Sequence, residues 1–135
     1  MFVIDASVAL AWCFADESSA YADAVLDRLM IEEARVPAIW PFEVSNGLCS
    51  AERRGRIRRG EIPRVRELLL ALPVVVDDAD LGEILGGVLE MARTLDLSSY
   101  DASYVALAAR EDLPFATADD RLRTAARKAP VELIE

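Results

Sequence analysis

Four places along the chain combine a carboxylate with small polar residues, a combination that suits chemistry at a bound cation. They are Asp5 with Ser7, Glu43 with Asn46, Asp101 after Ser98 and Ser99, and Asp119 with Asp120 after Thr117. Carboxylate and water oxygens are the ligands that Mg²⁺ and Mn²⁺ prefer. If these acids meet in the fold, they cannot all stay ionised without raised pKa values or a bound cation. The pattern therefore raises the hypothesis of a divalent-cation site built from carboxylates.

Each of these acids also has a purely structural interpretation. Asp5 could cap the helix that follows it. Ser98 with Asp101, and Thr117 with Asp120, have the spacing of a capping box. Because periodicity does not establish which side chains converge, both interpretations stay open at the level of the sequence.

The composition excludes several kinds of catalysis. The 135 residues include no histidine, and 15 basic residues stand against 24 acidic ones, giving a formal net charge of −9. The absence of histidine excludes a Ser-His-Asp or Cys-His catalytic group, a histidine-ligated zinc and a histidine-dependent ribonuclease mechanism. The acidic balance argues against broad electrostatic capture of nucleic acid. Any catalysis must therefore use carboxylates and hydroxyls.

The length and hydrophobicity of the chain predict one globular domain over residues 1–135. Hydrophobic residues make up 53% of the sequence, and domains commonly have ~100–200 residues. No basic stretch precedes an apolar one at the N-terminus, and no run of ~18 apolar residues occurs, so we expect neither a signal peptide nor a membrane span. Cys13 and Cys49 lie in apolar helical context and are expected to be buried. The expected compartment is the cytoplasm.

Apolar periodicity predicts strands and helices in alternation. Short apolar runs predict extended segments at residues 2–4, 36–39, 74–76, 114–117 and 131–134. Helical spacing, caps and prolines predict helices at 7–14, 19–34, 41–53, 62–72, 81–95, 98–111 and 118–128. This alternation predicts an α/β fold of three layers, with a short central parallel sheet flanked by helices. Such sheets bind ligands beyond the carboxyl ends of their strands, where Asp5 and Asp119 fall.

Four short segments, each with an acid, follow one another in a recognisable order. They are Val-Ile-Asp-Ala-Ser-Val at 3–8, Phe-Glu-Val-Ser-Asn at 42–46, Tyr-Asp-Ala-Ser-Tyr-Val-Ala-Leu-Ala at 100–108, and Ala-Thr-Ala-Asp-Asp-Arg-Leu at 116–122. In this order and spacing the chain resembles the PIN-domain ribonucleases over about residues 2–134. The likeness is greatest to the VapC-type toxins of bacterial type II toxin–antitoxin pairs.

The resemblance implies a metal-dependent endoribonuclease that uses Mg²⁺ or Mn²⁺. The acidic quartet of the family is matched by Asp5, Glu43, Asp101 and Asp119. Of these, Asp5, Asp101 and Asp119 are the expected metal ligands, and Glu43 is expected to orient or deprotonate the attacking water. Ser7, Asn46 and Thr117 match the polar residues that accompany the quartet and are expected to hold it by hydrogen bonds.

Two positions qualify the resemblance, and two partners follow from it. Asp120 is an additional acid directly after Asp119, so the sequence does not decide which of the two faces the metal. Gly47 stands where the resemblance leads us to expect alanine. The family likeness also implies a homodimer and a cognate antitoxin that covers the active site.

One segment is strongly basic. Seven arginines and three glutamates lie within residues 52–67, and Arg53, Arg54, Arg56, Arg58 and Arg59 fall within seven residues. These side chains could complement the dipole of a helix end and pair with nearby acids. Alternatively, they could contact RNA phosphates beside the acidic site, because arginine binds phosphate through two parallel hydrogen bonds.

Two other functions compete with the ribonuclease hypothesis. A HAD-like or receiver-like phosphoryl-transfer domain would use Asp5 as a nucleophile or metal ligand. However, a HAD-like enzyme needs a second aspartate where this chain has Ser7, and a receiver needs a lysine after a late strand, whereas Lys128 lies within a predicted helix. The other alternative is a non-catalytic PIN-like module that binds a partner and cleaves nothing.

Overall fold

A computed structural model describes residues 1–135 as short strands alternating with helices. The strands are β1 (Phe2–Ile4), β2 (Ala34–Val36), β3 (Val74–Val76) and β4 (Phe115–Ala116). The α-helices are α1 (Ala6–Cys13), α2 (Ala20–Arg28), α3 (Trp40–Arg53), α4 (Ile62–Leu70), α5 (Leu81–Glu83), α6 (Leu89–Leu95), α7 (Ser99–Glu111) and α8 (Asp120–Ala126). Short 3₁₀ turns occur at Ala15–Glu17 and Arg59–Glu61, and a π-helical segment at Ile84–Val88.

The strands form one sheet in the order β3-β2-β1-β4, and every pairing is parallel. The predicted α/β fold with a short parallel sheet flanked by helices is therefore confirmed. Strand β1 lies inside the sheet, and its residues Phe2, Val3 and Ile4 are fully buried. A strand covered on both faces reads as an uninterrupted apolar run, as this one does.

The core positions the strand ends against helix α7. A cluster of 20 buried residues joins the sheet to α7, and the rings of Tyr104 and Phe115 stack within it at a centroid distance of 6.3 Å. Residues 102 to 108 of α7 are buried without interruption. Because α7 is enclosed in this way, its first turn, which carries Asp101, has a fixed place beside the sheet.

Local sequence signals account for the ends of helix α3. Pro41 lies in its first turn, where a missing backbone N–H costs nothing. At its other end Gly55 has φ 74°, a left-handed conformation that favours glycine. The N–H of Arg56 then donates to the carbonyl of Ala51 at 2.8 Å, and that of Gly55 to Glu52 at 3.1 Å. Thus α3 ends where the basic segment begins.

Four predicted elements differ clearly from the structure, three of them at the edges of the sheet or in the chain that leads to it. The helix predicted over 19–34 ends at Arg28, because residues 34–36 pair with β1 and β3 as strand β2, and tertiary pairing outweighs local helix propensity. The extended segment predicted at 36–39 is consequently displaced to Ala34–Val36, before Pro37. The strand predicted at 131–134 is reduced to a single bridge between Phe115 and Leu133, since β4 offers only two residues for pairing.

The helix predicted as continuous over 81–95 contains the π-helical segment Ile84–Val88. Gly86 and Gly87 lie inside it, and glycine stabilises regular α-helix poorly. The prediction that both cysteines are buried is also wrong for Cys49, which is exposed, whereas Cys13 is partly buried. None of the helices is long and apolar enough to span a bilayer.

Candidate active site

Four of the five acidic residues singled out by the sequence line one cavity at the carboxyl ends of the strands. Its volume is about 320 Å³. Its walls include Asp5, Ser7, Glu43, Asn46, Asp101 and Asp119, together with Leu10, Gly47 and Tyr104. The structure thus brings together residues that are up to 114 positions apart in sequence, from β1 to the start of α8.

Asp5 is the most enclosed of these acids and follows directly after β1. It is 4% exposed and caps α1, with its Oδ1 accepting from the Val8 N–H at 3.2 Å and from the Ser7 hydroxyl at 2.6 Å. Its Oδ2 accepts from the Thr117 hydroxyl at 2.5 Å. Burial raises the pKa of Asp5 to about 6. The three hydrogen bonds lower this pKa, and the charge of Asp119 makes a smaller upward contribution. A nearby cation would favour its charged form.

Thr117 lies behind Asp5, outside the cavity walls, and is almost fully buried. Its hydroxyl donates to Asp5 and accepts from the Asp119 N–H at 3.0 Å, so it connects two acids of the cavity. The Thr117 N–H donates to the Tyr21 hydroxyl at 3.2 Å, and Arg123 donates to the Thr117 carbonyl. The guanidinium of Arg123 stacks over the Tyr21 ring at 4.8 Å. Both polar backbone groups of Thr117 are thereby held in place.

Glu43 comes from the first turn of α3, across the cavity from the strand ends. The hydroxyl of Tyr104 donates to Glu43 Oε1. Tyr104 is 1% exposed, and both burial and this hydrogen bond raise its pKa. The tyrosine therefore acts as a neutral donor that fixes one oxygen of Glu43 and leaves the other for a ligand.

Asp101 and Asp119 complete the acidic wall, Asp101 from the first turn of α7 and Asp119 from the cap position before α8. Asp101 lies in α7, where the Ser98 hydroxyl accepts from the Asp101 N–H at 3.1 Å, so half of the predicted capping box is present. Burial raises the pKa of Asp101, whereas Arg121, paired with Asp101 Oδ2 at 3.0 Å, lowers it. Asp119 caps α8 by accepting from the N–H groups of Arg121 and Leu122.

The structure distinguishes the two adjacent acids of the last motif. Asp119 lines the cavity, whereas the side chain of Asp120 is 96% exposed and lies 3.7 Å from Arg123. The predicted capping box from Thr117 to Asp120 is wrong, because the helix cap is Asp119 and Thr117 points to Asp5. Asp120 therefore lies outside the group of acids that share the cavity.

The donor chemistry of the cavity fits a hard divalent cation. All candidate ligands are oxygens, from four carboxylates, a hydroxyl and an amide, and Mg²⁺ and Mn²⁺ favour such ligands while retaining bound water. No three acids or thiols stand close enough together to enclose one ion as they are placed. Asp101 is paired with Arg121, whose side chain is 75% exposed and free to leave. Ligation by Asp5, Asp101 and Asp119 would thus include water molecules or small side-chain shifts.

Sequence reasoning missed three residues that support the acids. They are Tyr21, Tyr104 and Arg123. Tyr104 donates to Glu43 in the cavity, and the other two hold the backbone of Thr117 behind Asp5. None of the three is an acid or one of the small polar residues that accompany the acids. For Tyr104 a signal existed, because it lies three positions after Asp101 and thus on the same face of the helix. For Tyr21, in α2, the sequence offers no comparable signal.

The basic segment lies away from the cavity. Arg53 is ten residues beyond Glu43 on α3, which places it about 15 Å further along the helix axis. Arg56 is engaged within the chain, with Asp16 at 3.1 Å, Glu17 at 3.6 Å and the Phe14 ring at 4.7 Å. All five candidate phosphate-binding arginines are exposed, and four of them form no ion pair, namely Arg53, Arg54, Arg58 and Arg59.

Comparison with known proteins assigns this architecture to a family. The family model of the PIN domain matches residues 2–128. The crystal structure of PAE2754 from Pyrobaculum aerophilum is similar with a TM-score of 0.69 and 26% identity, over 95% of this chain and 87% of that one. FitAcB from Neisseria gonorrhoeae is similar with a TM-score of 0.65 and 20% identity, over 100% and 97%.

A structure of FitAB bound to the IR36 DNA fragment has a TM-score of 0.58 and 18% identity, over 99% of this chain and 94% of that one. At such identities the likeness to FitAcB and FitAB concerns the fold. Among curated proteins no sequence match is found. Since the family model spans nearly the whole sequence, the chain belongs to the PIN domain family.

Proposed function

We propose that this protein is a metal-dependent endoribonuclease and the toxin of a toxin–antitoxin pair. The observation that carries the proposal is the single cavity shared by the four acids Asp5, Glu43, Asp101 and Asp119. A structural role as helix caps explains Asp5 and Asp119 individually. It does not explain why Glu43 and Asp101, which cap nothing through their side chains, face the same space.

The proposed reaction is hydrolysis of an RNA phosphodiester bond. Water attacks the phosphorus, the bond to the 3′ oxygen breaks, and the products carry a 5′-phosphate and a 3′-hydroxyl. One or two divalent ions, when bound, would neutralise charge on the phosphate and assist the leaving oxygen. Asp5, Asp101 and Asp119 would hold the ions directly or through water. Glu43, fixed by Tyr104, has a free carboxylate oxygen to orient the attacking water or accept its proton.

The polar residues around the acids would keep this arrangement rigid. Ser7 and Thr117 each donate to a different oxygen of Asp5, which fixes the orientation of its carboxylate. Asn46 lies three residues after Glu43 and faces the same cavity. Such hydrogen bonds to ligands control their geometry and basicity, so we assign Ser7 and Thr117 to this supporting role. We assign Asn46 to it from its place on the cavity wall beside Glu43, although its side chain forms no hydrogen bond to an acid.

RNA, an antitoxin and a second copy of the chain are the proposed partners. The exposed arginines of the basic segment would hold phosphates some distance from the scissile bond. The resemblance to VapC-type toxins supports the antitoxin, the homodimer and the cytoplasmic location. Among the structural neighbours, FitAB is bound to a DNA fragment. This complex supports the proposal that the present chain also acts in an assembly with a partner.

The competing phosphoryl-transfer hypothesis receives no support. The chain belongs to the PIN family, and both oxygens of Asp5 already accept hydrogen bonds in a buried position. A carboxylate held in this way has a fixed orientation, as ligating carboxylates do. The non-catalytic module remains a distinct outcome, which an activity measurement separates from the proposal.

The proposal is tested with a labelled single-stranded RNA incubated with the protein and Mn²⁺ or Mg²⁺. We expect endonucleolytic cleavage that excess EDTA abolishes. Asp5→Asn should fold normally, as judged by circular dichroism, and should lose at least about 100-fold in rate, since removing a single group that stabilises transition-state charge costs ~10²–10³. Asp120→Asn is the matched control, because it removes an equal charge from an acid outside the cavity.

Two results would contradict this proposal. Undiminished cleavage in EDTA would exclude the metal-dependent reaction. Equal rates for Asp5→Asn and Asp120→Asn would exclude the cavity as its location. No cleavage of any RNA by the wild-type protein with either metal would favour the non-catalytic module.

A further inference from the structure

Two exposed aromatic side chains stand at the mouth of the cavity, each directly before one of its acids. Phe42 precedes Glu43 in the first turn of α3, and Tyr100 precedes Asp101 in the first turn of α7. Phe42 is 73% exposed and Tyr100 is 63% exposed. Large rings usually gain stability from burial, and a ligand bound at the cavity would cover these two.

The two rings share a small cleft that opens beside the acidic cavity. Its volume is about 210 Å³, and it is lined by Ile39, Phe42, Glu43, Asn46 and Tyr100. Glu43 and Asn46 line the acidic cavity as well. The two spaces therefore adjoin each other at Glu43 and Asn46, and a chain bound with a phosphate in one could place its neighbouring group in the other.

We propose that this cleft is a nucleobase subsite, in which Phe42 and Tyr100 stack against a base next to the scissile phosphate. The inference rests on the proposed function and adds to it which residues select and orient the RNA strand. Flat aromatic faces accept bases of single-stranded RNA by stacking. The exposed amide of Asn46 supplies a donor and an acceptor for a base edge.

The charge of the cleft favours a base over other parts of a nucleic acid or an acidic peptide. Glu43 contributes a carboxylate to its wall, and this carboxylate repels a phosphate or an acidic side chain at close range. A base is neutral and carries polar edges around an apolar face. Its phosphate would lie in the acidic cavity, where a bound cation compensates the negative charge.

The experiment measures the affinity of a short labelled oligoribonucleotide by fluorescence anisotropy in Ca²⁺, with a gel to verify that the strand stays intact. We expect Phe42→Ala and Tyr100→Ala to raise Kd about 5- to 150-fold, the range that corresponds to loss of one base–aromatic stack. The ring-retaining variants Phe42→Tyr and Tyr100→Phe should stay within about twofold of wild type, because the stacking face is kept. Ile31→Ala is the matched control, since Ile31 is an apolar residue with 87% exposure elsewhere on the surface.

A set of strands with single abasic positions locates the stacked base. At one position, removal of the base should weaken binding to the wild-type protein. The same removal should not weaken binding to Phe42→Ala further, because that variant already lacks the ring that stacks on the base. Additive losses at every position would overturn the subsite, as would unchanged Kd values for both alanine variants. If these variants instead bind RNA normally and dissociate a dimer on a sizing column, the rings belong to a protein interface and the proposal is wrong.

The outcome is separable from that of the proposed function. Cleavage of the same RNA by wild type in Mn²⁺, combined with unchanged affinity of the alanine variants, overturns only the subsite. Wild-type protein that neither binds nor cleaves RNA overturns both.

Discussion

At the scale of single residues, helix capping and participation in the cavity are compatible roles. Asp119 uses Oδ1 for two backbone N–H groups of α8 and still lines the cavity. Asp5 likewise caps α1 and faces the other acids. A carboxylate has two oxygens with about four acceptor positions, so one cap leaves capacity for a further ligand. The cap fixes the side chain, and the fixed side chain can then serve the site.

Arg121 competes with any cation for Asp101. Its guanidinium lies 3.0 Å from Asp101 Oδ2, and its side chain is 75% exposed. Because exposed ion pairs contribute ~0.2–1 kcal/mol, we predict that Arg121→Gln tightens Mn²⁺ binding in the absence of RNA by about two- to fivefold. The affinity is measured by titration calorimetry or by the electron paramagnetic resonance signal of free Mn²⁺.

Arg127→Gln is the appropriate comparison for this variant. Arg127 directly follows α8, is also exposed, and pairs with Glu135 rather than with a cavity acid. Both substitutions remove one positive charge, so a change in net charge alone would affect Mn²⁺ binding equally. Identical affinities for the two variants would show that Arg121 does not occupy the cation position.

At the scale of secondary-structure elements, predictability follows the range of the interaction that fixes each feature. Pro41 and Gly55 mark the ends of α3 through local geometry, and the sequence predicts both. By contrast, the end of α2 depends on pairing of residues 34–36 with two other strands. This pairing involves residues that are distant in the chain, so the local sequence around residues 28–34 does not indicate where the helix ends.

The same distinction holds for the candidate site. The acids could be singled out because their types and positions at strand ends are visible in the sequence. The support given by Tyr21 to Thr117 joins residues 96 positions apart, and that given by Tyr104 to Glu43 spans 61 positions. Such contacts emerge only when the helices have been packed, which is why their residues were missed.

The contact between α1 and α3 accounts for Gly47, where the family likeness leads us to expect alanine. A Cβ at Gly47 would lie 2.6 Å from Leu10 Cδ1 and 2.7 Å from Cδ2. We predict that Gly47→Ala lowers the free energy of unfolding by up to about 2 kcal/mol, because overpacking costs ~1–3 kcal/mol and helix propensity returns only ~1 kcal/mol. In a Leu10→Ala background the same change should instead raise it by up to about 1 kcal/mol. Urea denaturation of the four proteins measures both values.

Gly86→Ala serves as the control for this cycle. A Cβ at Gly86 meets nothing within 4 Å, so its effect should be the same whether residue 10 is leucine or alanine. If Gly47→Ala raises the free energy of unfolding in both backgrounds, Leu10 moves aside without cost. If it lowers the free energy of unfolding equally in both, the cost does not come from Leu10, and in either case the close packing of α1 on α3 does not select glycine.

At the scale of the whole molecule, the net charge of −9 gives a poor description of the surface that RNA would meet. Acidic side chains gather in the cavity, whereas exposed arginines gather where α3 ends. The two regions are about 15 Å apart along α3, so one RNA strand could contact both. The local arrangement of charged side chains, rather than the net charge of the chain, decides the electrostatics of RNA binding.

The salt dependence of RNA binding tests this arrangement. Arg58 and Arg59 are exposed within the basic segment, beyond the end of α3. If each neutralises one phosphate, the double substitution Arg58→Gln and Arg59→Gln should reduce the slope of log Kd against log salt by about 1.4, since single strands contribute ~0.7 per phosphate. The slope is obtained by fluorescence anisotropy between about 50 and 200 mM KCl.

Arg56→Gln separates phosphate binding from a purely structural role of these arginines. Arg56 lies in the same segment, but it is already paired with Asp16 and Glu17. Its guanidinium also lies over the ring of Phe14. Its removal should therefore leave the salt slope unchanged, because a cation that is already paired releases no counterions from RNA. If all three substitutions leave the slope unchanged, the segment is a solvated helix end that complements the dipole of α3. RNA would then be held at the acidic cavity through its cations and at the neighbouring aromatic cleft, despite the surrounding negative charge.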